Sequence, residues 1–421
     1  MKVLGIIAEY NPFHNGHLYH LNESKRLSGA DFTVCVMSGN FIQRGEPAIV
    51  NKWARARMAL SCGIDLVLEL PVVYAMSSAE YFGYSAVKIL DSLGIVDFIC
   101  FGSENGKIGG LDLLADILVN EPPEYKSLLK KYLDSGSSFP SARESAIKQY
   151  LKKRHTSLES VEHLLGLSNN ILGIEYLKAL KKLKSQIKPL TVTRTANLYN
   201  SEQLSGSISS ATSIRKHILS DMTASSPGIP AETMPEASLA IMKEELDSGR
   251  GPVHPASFED IILHGLRRMQ TDEIGSLPYV SEGLENRIKE SAEASGSLDE
   301  LIDRICTRRY TRTRIQRALF SLLTRLGSRD FESFNEAGGP QYIRVLGFTD
   351  KGRRLLSDAN KTASLPLIIK TANFKNTPDP LLNRMLAIEA FSTDAYVLGY
   401  KNPAFRKAGQ EFTQNVIRYK G

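Results

Sequence analysis

Short apolar segments alternate with helix-like segments through the first hundred residues of the chain. Apolar runs rich in β-branched or aromatic residues predict strands at residues 3–8, 32–37, 66–70 and 98–101. Segments with helical spacing lie between them, roughly at residues 16–27, 52–62 and 78–93. A strand–helix–strand repeat places its strands parallel and covers both faces with helices. The alternation therefore predicts an α/β fold whose parallel sheet binds ligands beyond the carboxyl ends of its strands.

The rest of the chain is predicted to be richer in helix. The pattern is helical from about residue 102 to 152, and one more strand is expected at residues 190–193, before a helix start near Ser210. Residues 223–235 contain three prolines among Ser and Thr, which is typical of a linker. We therefore expect one domain at residues 1–222 and a second at residues 236–421. In the second, helical spacing recurs at residues 258–269, 284–294, 298–305 and 315–326, and residues 342–346 and 365–369 indicate a small sheet.

Charge and cysteine usage narrow the class of protein. The 52 Lys and Arg residues against 46 Asp and Glu give a formal net charge of +6, so any acidic partner must bind a local basic patch. The four cysteines lack CxxC spacing and are expected to be reduced. The sequence has no apolar run of about 18 residues, and it begins with a predicted strand instead of a signal peptide. A cytoplasmic protein without membrane association is expected.

Two histidines lie three residues apart where the first strand passes into the first helix, in the segment Glu-Tyr-Asn-Pro-Phe-His-Asn-Gly-His at residues 9–17. A helix N-terminus presents unpaired N–H groups and a positive dipole end, which favour phosphate. His14 and His17 can both donate to a triphosphate, and Gly16 leaves room for a nucleotide against the backbone. The alternative is a surface pair or half of a metal site, but a metal would need a third ligand. The strand–loop–helix context favours phosphate, and we assign no metal ligand.

Two segments carry a resemblance to a known superfamily. Pro12-x-His14-x-Gly16-His17 resembles the HxGH form of the HIGH signature of nucleotidyltransferases and class I aminoacyl-tRNA synthetases. Residues 210–215, Ser-Ala-Thr-Ser-Ile-Arg, resemble their second signature, Ser-Ser-Thr-x-Ile-Arg. Ala211 replaces the second serine, which removes one hydroxyl that would face the phosphates.

Longer matches point to one family. Residues 6–17, 37–47 and 169–176 resemble the bacterial tRNA(Met) cytidine acetate ligases, and the likeness extends from residue 1 to about 350. That family activates acetate with ATP as acetyl adenylate, then passes the acetyl group to the exocyclic amine of the wobble cytidine of elongator tRNA(Met). The resemblance implies a Rossmann-like nucleotidyltransferase domain followed by a mainly helical tRNA-binding domain. ATP, Mg²⁺, acetate and elongator tRNA(Met) are the implied cofactors and partners.

The resemblance also implies the site residues. The catalytic residues would be His14, His17 and Arg215. The ATP-binding residues would be Ile7, Ala8, Glu9, Tyr10, Asn11, Pro12, Phe13, His14, Asn15, Gly16, His17, Leu18, Tyr19, His20, Gly102, Asn169, Arg194, Ser210 and Thr212.

Several of these positions also make physical sense. Gly102 would admit adenine or ribose at a strand end, or it is an ordinary turn glycine. Asn169 would contact ATP or cap the helix beginning near residue 171, and Arg194 would pair with the α-phosphate or the acyl carboxylate, or is simply solvated. The loop at residues 39–47, with Gln43 and Arg44, is either a lid over acetate and ATP or a plain exposed loop.

The densest basic cluster lies in the second half of the chain and contains Arg304, Arg308, Arg309, Tyr310, Arg312, Arg314 and Arg317. On a continuous helix, residues 304, 308 and 312 would share one face, which could contact phosphates. Tyr310 could stack on an unpaired base of RNA. We therefore predict an RNA interface at Arg308, Arg309, Tyr310 and Arg312, with a solvated charged face as the alternative.

Two other functions compete with the acetate ligase. A small-molecule adenylyltransferase of cofactor biosynthesis would use the same HxGH site, although such enzymes are often little more than the first domain. A non-catalytic RNA-binding protein could keep the nucleotide fold, although His14, Gly16, His17 and Arg215 are all present. The sequence reveals neither a general base for the amine nor the oligomeric state.

Overall fold

The computed structural model describes residues 1–137, 139–154, 164, 168–193, 209–220, 228–374 and 377–420. Its strands are β1 (Val3–Ala8), β2 (Phe32–Ser38), β3 (Phe41–Ile42), β4 (Glu46–Pro47), β5 (Leu66–Leu70), β6 (Phe98–Ser103), β7 (Lys188–Thr193), β8 (Ile343–Phe348), β9 (Leu367–Ile368) and β10 (Ile417–Arg418). Its α-helices are α1 (Asn15–Ser28), α2 (Lys52–Ser61), α3 (Val72–Ala75), α4 (Ala79–Ser92), α5 (Ile108–Asn120), α6 (Pro123–Asp134), α7 (Phe139–Lys153), α8 (Ser168–Leu183), α9 (Ala211–Ser220), α10 (Glu236–Asp247), α11 (Glu259–Arg268), α12 (Thr271–Gly275), α13 (Leu284–Ala294), α14 (Leu298–Ile305), α15 (Arg312–Thr324), α16 (Ser328–Glu336), α17 (Asp350–Thr362), α18 (Pro380–Tyr396) and α19 (Gln410–Thr413).

The main sheet has the strand order β10-β8-β5-β2-β1-β6-β7, with β9 beside β8. Strands β5, β2, β1, β6 and β7 are parallel, as the alternating pattern predicts, and the α/β fold class is confirmed. The chain runs outward from β1 to β2 and β5 on one side and then through β6 to β7 on the other. The order of strands therefore reverses between β1 and β6, which is where open α/β sheets form a ligand crevice.

The central strands are mostly apolar because each face of the sheet is buried by helices. Along β2, Val34 and Val36 belong to one core cluster, while Cys35 and Met37 belong to the other. The first cluster includes residues of α4 and α8, and the second includes residues of α1, α2 and α9. Since successive side chains of a strand point to opposite faces, a doubly covered strand has no polar face to show in its sequence.

The separate small sheet predicted near the end of the chain is wrong. Its two segments do form strands, β8 and β9, but these join the main sheet. Strand β8 pairs antiparallel with β5, and its Val345 and Leu346 enter opposite cores. This pairing covers an apolar edge that β5 would otherwise expose.

The predicted linker at residues 223–235 lies partly outside the described residues. Strands from both sides of it belong to one sheet. The division of the chain into 1–222 and 236–421 stays a prediction. None of the helices in the described ranges combines the length and apolar character needed to cross a bilayer.

A buried cluster of charges connects α2 to the last helices of the chain. Lys52 Nζ lies 2.6 Å from Glu69 Oε1, 3.1 Å from Glu389 Oε1 and 2.7 Å from Glu411 Oε2. Arg344 of β8 is 3.1 Å from Glu411 Oε1, and all of these side chains are at most 4% exposed. Burial lowers the pKa of Lys52, but the carboxylates outweigh it and hold the pKa above its usual value. The pKa of Glu69 is raised, first by burial and then by Glu389.

Candidate functional site

A cavity of about 300 Å³ lies at the carboxyl ends of β1 and β6, where the strand order reverses. The predicted site residues that line it are Ile7, Ala8, Glu9, Tyr10, Asn11, His14, Gly16, His17, Tyr19, His20, Gly102, Asn169, Ser210, Thr212 and Arg215. Four predicted contacts, Pro12, Phe13, Asn15 and Leu18, are not among the lining residues. Phe13 is fully buried and Leu18 packs against the core, because they occupy the inward side of the turn and of α1. Arg194 lies outside the described residues.

The two signature histidines lie at the N-terminus of α1 and are held by its backbone. His14 is the N-cap residue, and its Nδ1 accepts a hydrogen bond from the Gly16 N–H at 3.0 Å. His17 Nδ1 accepts from the His14 N–H at 3.3 Å, and the ring centroids are 3.8 Å apart. An imidazole whose Nδ1 accepts must carry its proton on Nε2 when neutral. Each neutral ring thus carries an N–H donor at Nε2, which suits phosphate better than a metal.

The metal alternative finds no further support in the part of the chain that is described. There, no three His, Cys, Asp or Glu side chains lie close enough together to hold a metal ion. The first turn of α1 also contains no acidic residue that would offset the positive end of the helix dipole.

The second signature brings a guanidinium to the same cavity. Helix α9 begins at Ala211, and Ser210 Oγ caps it by accepting from the Ser213 N–H at 3.0 Å. Arg215 Nη1 donates to the Asn11 carbonyl at 2.8 Å, so this helix is tied directly to the loop after β1. Ser209 also lines the cavity, one residue before the signature, and offers a hydroxyl near the position where Ala211 lacks one.

Arg55 of α2 supports the floor of the cavity. It is fully buried, and its Nη1 donates to the carbonyls of Glu9 at 2.7 Å and Ser38 at 3.1 Å. The guanidinium therefore ties together the carboxyl ends of β1 and β2. Nothing in the sequence distinguishes Arg55 from an exposed helix arginine, because its acceptors are backbone atoms of other segments.

The loop at residues 39–47 is a short hairpin, β3–β4, and not a plain exposed loop. Gln43 and Arg44 line the cavity, with Arg44 exposed at its rim. The Gln43 N–H donates to Glu9 Oε1 at 2.8 Å, and the Gln43 carbonyl accepts from Arg317 Nε at 2.9 Å. A side chain added at Gly45 would meet the backbone of Arg317. Helix α15 therefore holds the hairpin against the cavity.

Replacing Gly45 with alanine is expected to destabilise the protein and lift the hairpin from α15. The backbone φ at Gly45 is +75°, which costs an L-residue about 1–2 kcal/mol, and the contact with Arg317 adds to this cost. Gly136→Ala is the matched control, because its φ is +85° and nothing lies within 4 Å of an added Cβ. Thermal unfolding of both variants checks the contact: equal losses of stability would show that Gly45 is required only for its φ.

Asn169 does not cap a helix. Helix α8 begins at Ser168, so Asn169 lies within its first turn, and its Nδ2 donates to Glu104 Oε1 at 2.9 Å. The Glu104 N–H donates to Asn170 Oδ1 at 3.1 Å. The start of α8 is thereby fastened to the loop after β6, and Asn169 lies in the cavity wall beside Gly102.

One side of the cavity is apolar. Outside the two signature segments, the apolar and aromatic residues that line the cavity are Ile42, Phe82, Phe101, Leu172, Tyr176 and Val192. In sequence they are typical core residues of strands and helices. The packing of α4 and α8 against β6 brings Phe82, Phe101, Leu172 and Tyr176 together, whereas Ile42 comes from the hairpin and Val192 from β7. An apolar wall of this kind suits a flat base.

The predicted RNA interface is changed substantially by the structure. Arg304, Arg308 and Arg312 do not share a helix face, because α14 ends at Ile305 and α15 begins at Arg312. Arg312 lies 2.8 Å from Asp299 and 2.7 Å from Asp303, and Arg309 lies 2.8 Å from Glu282.

The prediction that an RNA base stacks on Tyr310 is wrong. Its side chain is buried, and its hydroxyl donates to the Glu282 carbonyl at 2.9 Å. Arg308, by contrast, is exposed. The acidic neighbours of Arg309 and Arg312 are far away in sequence or on another helix, so the basic run overstates the positive charge of this surface.

Comparison with known proteins extends the similarity over the whole chain. Residues 1–411 match the family model of the HIGH nucleotidyl transferases. A tRNA(Met) cytidine acetate ligase of Acetivibrio thermocellus is 57% identical, over 99% of this chain and 100% of the relative. One of Caldanaerobacter subterraneus subsp. tengcongensis is 48% identical, over 99% and 100%. The crystal structure of Thermotoga maritima TmcAL bound with alpha-thio ATP has a TM-score of 0.92 at 36% identity, with 100% of both chains covered. The likeness thus extends past residue 350.

Proposed function

The chain belongs to the HIGH nucleotidyl transferase family and, within it, to the tRNA(Met) cytidine acetate ligases, and from this premise we propose how its cavity works. It is an enzyme that joins acetate to a cytidine of tRNA(Met). Acetate first reacts with ATP to form acetyl adenylate and pyrophosphate. The exocyclic amine of the wobble cytidine of elongator tRNA(Met) then attacks the acyl carbon, and AMP leaves.

The observation that carries this proposal is the convergence of phosphate donors in one cavity. The Nε2–H groups implied for His14 and His17, the N-terminal N–H groups of α1 and the guanidinium of Arg215 meet there. When an acetate oxygen attacks the α-phosphorus, negative charge moves onto the departing pyrophosphate. Fixed donors aimed at those phosphates stabilise that charge without a protein nucleophile.

The adenosine would bind between the polar and the apolar walls. Gly102 at the end of β6 leaves room beside the apolar lining, and the amide of Asn169 lies in the same wall. The triphosphate would then extend toward the N-terminus of α1. This orientation places the α-phosphate between the adenosine and the histidines, where acetate must attack.

The donor set also indicates how Mg²⁺ would be held. His14, His17 and Arg215 present N–H groups, and Glu9 is the one carboxylate among the described lining residues. Mg²⁺ takes oxygen ligands and commonly binds through substrate phosphates and water. The lining residues therefore fit a magnesium ion carried by the triphosphate, where it neutralises phosphate charge.

The tRNA would approach the open rim of the cavity. Arg44 is exposed at that rim, and Arg308 is exposed on the α14–α15 connection. The wobble base must leave its stack to present its amine to the adenylate. A tRNA substrate also implies that the protein works in the cytoplasm.

Replacing Arg308 with alanine is expected to weaken tRNA binding and to reduce the slope of log K against log salt by roughly one unit. The measurement is a titration of the variant with tRNA at several salt concentrations. Arg353 is the matched control: it is exposed on α17, whose N-cap Thr349 donates to the Asp65 carbonyl at the amino end of β5, the opposite edge of the sheet. An equal effect from Arg353→Ala would show that Arg308 contributes only net charge.

The function is tested by incubating the protein with ATP, Mg²⁺ and labelled acetate. Pyrophosphate release that depends on acetate, with label entering acetylcytidine of elongator tRNA(Met) but not of a control tRNA, is the expected result. Label in no nucleoside and no acetate-dependent pyrophosphate would instead favour a small-molecule adenylyltransferase. The full-length match to relatives, which includes the helical second half, favours the RNA substrate.

A further inference from the structure

Glu9 is the one acidic side chain among the described residues that line the cavity. It follows β1 directly, at the point where the strand order reverses, and it is half-buried. Every other charged or titratable group placed there by the two signatures is a donor suited to phosphate. A lone carboxylate among anion-binding groups is unfavourable for binding acetate and ATP. In place of the ATP contact that the family resemblance implies for Glu9, its presence therefore calls for a role in a step other than the binding of acetate and ATP.

The carboxylate is held in one position by the hairpin. Glu9 Oε1 accepts from the Gln43 N–H at 2.8 Å, and among the described residues no hydrogen bond reaches Oε2. The Gln43 peptide is itself fixed, because its carbonyl accepts from Arg317 Nε at 2.9 Å. Arg317 is part of α15, against whose backbone Gly45 packs. One oxygen is thus used for positioning, and the other is available to a substrate in the cavity.

The surroundings also keep this carboxyl basic. Burial raises the pKa of Glu9, and the charge of Glu46 adds to that rise. The Gln43 N–H and the charges of Arg215 and Arg44 lower the pKa, but the net shift is upward. A carboxylate in such an environment binds a proton more strongly than an exposed one. A base whose pKa is closer to the working pH transfers protons more effectively.

The two chemical steps differ in their need for a base. Acetate attacks ATP as a carboxylate, which has no proton to lose. The exocyclic amine of cytidine is a weak nucleophile with two protons, and one of them must leave as the C–N bond forms. Without a base, the protonated amine is expelled from the tetrahedral intermediate more easily than AMP.

We propose that Glu9 is the general base of acyl transfer to cytidine. Its free carboxylate oxygen takes one proton from the exocyclic amine while the amine nitrogen bonds to the acyl carbon. The bond between that carbon and the adenylate oxygen then breaks, and AMP leaves with the electron pair. Gln43 and Arg317 are positioning residues for this carboxylate. This inference rests on the proposed two-step reaction and assigns its second step.

The test compares the two steps in Glu9→Gln, whose side-chain oxygen can still accept from the Gln43 N–H. Acetate-dependent exchange between ATP and pyrophosphate is expected to persist. Acetyl transfer to tRNA in a single turnover should fall by about 10²–10³-fold, within the usual range for a lost general base. In the wild type, transfer should rise with pH through the pKa of Glu9, because only the ionised form accepts a proton, and Glu9→Gln should lose this rise.

Two variants keep the result interpretable. Glu9→Asp retains a carboxylate on a side chain that is one methylene shorter. Acetyl transfer by this variant should be slow and should still rise with pH. Glu46→Gln is the matched control: it removes a carboxylate 3.8 Å from Arg215 that does not line the cavity, and it should keep acetyl transfer and its rise with pH. The rise should move to lower pH, because the charge of Glu46 raises the pKa of Glu9.

The possible outcomes separate the inference from the function it rests on. Wild-type protein without acetate-dependent exchange would refute the proposed function itself. Either of two results would overturn the role of Glu9 alone. The first is normal exchange with normal transfer in Glu9→Gln. The second is loss of both steps in a Glu9→Gln protein that unfolds at the wild-type temperature.

Discussion

Replacing His14 with asparagine is expected to lower acetate-dependent exchange between ATP and pyrophosphate by about 10²–10³-fold, the usual cost of losing one preorganised donor. The structure makes asparagine the informative choice. His14 Nδ1 caps α1 by accepting from the Gly16 N–H, and an asparagine side chain can take over that cap. The Nε2–H donor is lost while the helix start is kept. Alanine would remove both, at a further cost of about 1 kcal/mol in stability.

The control for this variant is His264→Asn, since His264 is an exposed histidine of α11 outside the cavity. Thermal unfolding and tRNA affinity of His14→Asn should both stay close to those of the wild type. His17→Asn also removes an Nε2–H donor and is likewise expected to lower the exchange while keeping stability and tRNA affinity. If His14→Asn instead lost tRNA affinity and kept normal exchange, the assignment of the histidines to the triphosphate would be wrong.

Replacing Lys52 with methionine is expected to cost about 3–5 kcal/mol of unfolding free energy, as when one partner of a buried ion pair is removed. Lys52 is fully buried and lies within 3.1 Å of carboxylates from β5, α18 and α19. Without it, the one ion pair that these three carboxylates keep among the described residues is that of Glu411 with Arg344. Denaturant unfolding measures the loss, and addition of acid should restore part of it because a protonated carboxyl no longer needs a cation.

Lys361→Met is the matched control, since Lys361 pairs with Asp358 at 3.2 Å on the exposed side of α17. Exposed ion pairs contribute little to stability, so the unfolding free energy of this variant should equal that of the wild type. A Lys52→Met protein as stable as Lys361→Met would show that the carboxyl groups of the cluster are already neutral and do not require the lysine.

The local sequence was sufficient to predict a strand or helix wherever the interactions that determine it lie within one segment. The strands at Val3–Ala8 and Leu66–Leu70 and the helix at Leu284–Ala294 have the predicted bounds, because each owes its position to its own apolar spacing. The family resemblance is confirmed by relatives of full length. The HxGH segment was recognisable for the same reason: its strand, turn and helix start are consecutive.

The basic cluster shows how far a charge run can mislead. Arginines at residues 304, 308 and 312 have helical spacing, but a connection between α14 and α15 separates them. Glu282 and Asp299, which neutralise Arg309 and Arg312, belong to other segments. A sequence displays the charges of a segment but not the partners that the fold brings to them.

The sequence by itself determined the parallel sheet, the position of the nucleotide site after β1 and the family. Only the tertiary structure decided that β8 closes the edge of the same sheet, that Lys52 is buried among carboxylates and that Glu9 faces the cavity with Gln43 and Arg317 behind it. The physical reason is the range of the interactions. Periodicity and turn chemistry act over a few residues, whereas Lys52 and Glu411, or Gln43 and Arg317, come together only when the whole chain has packed.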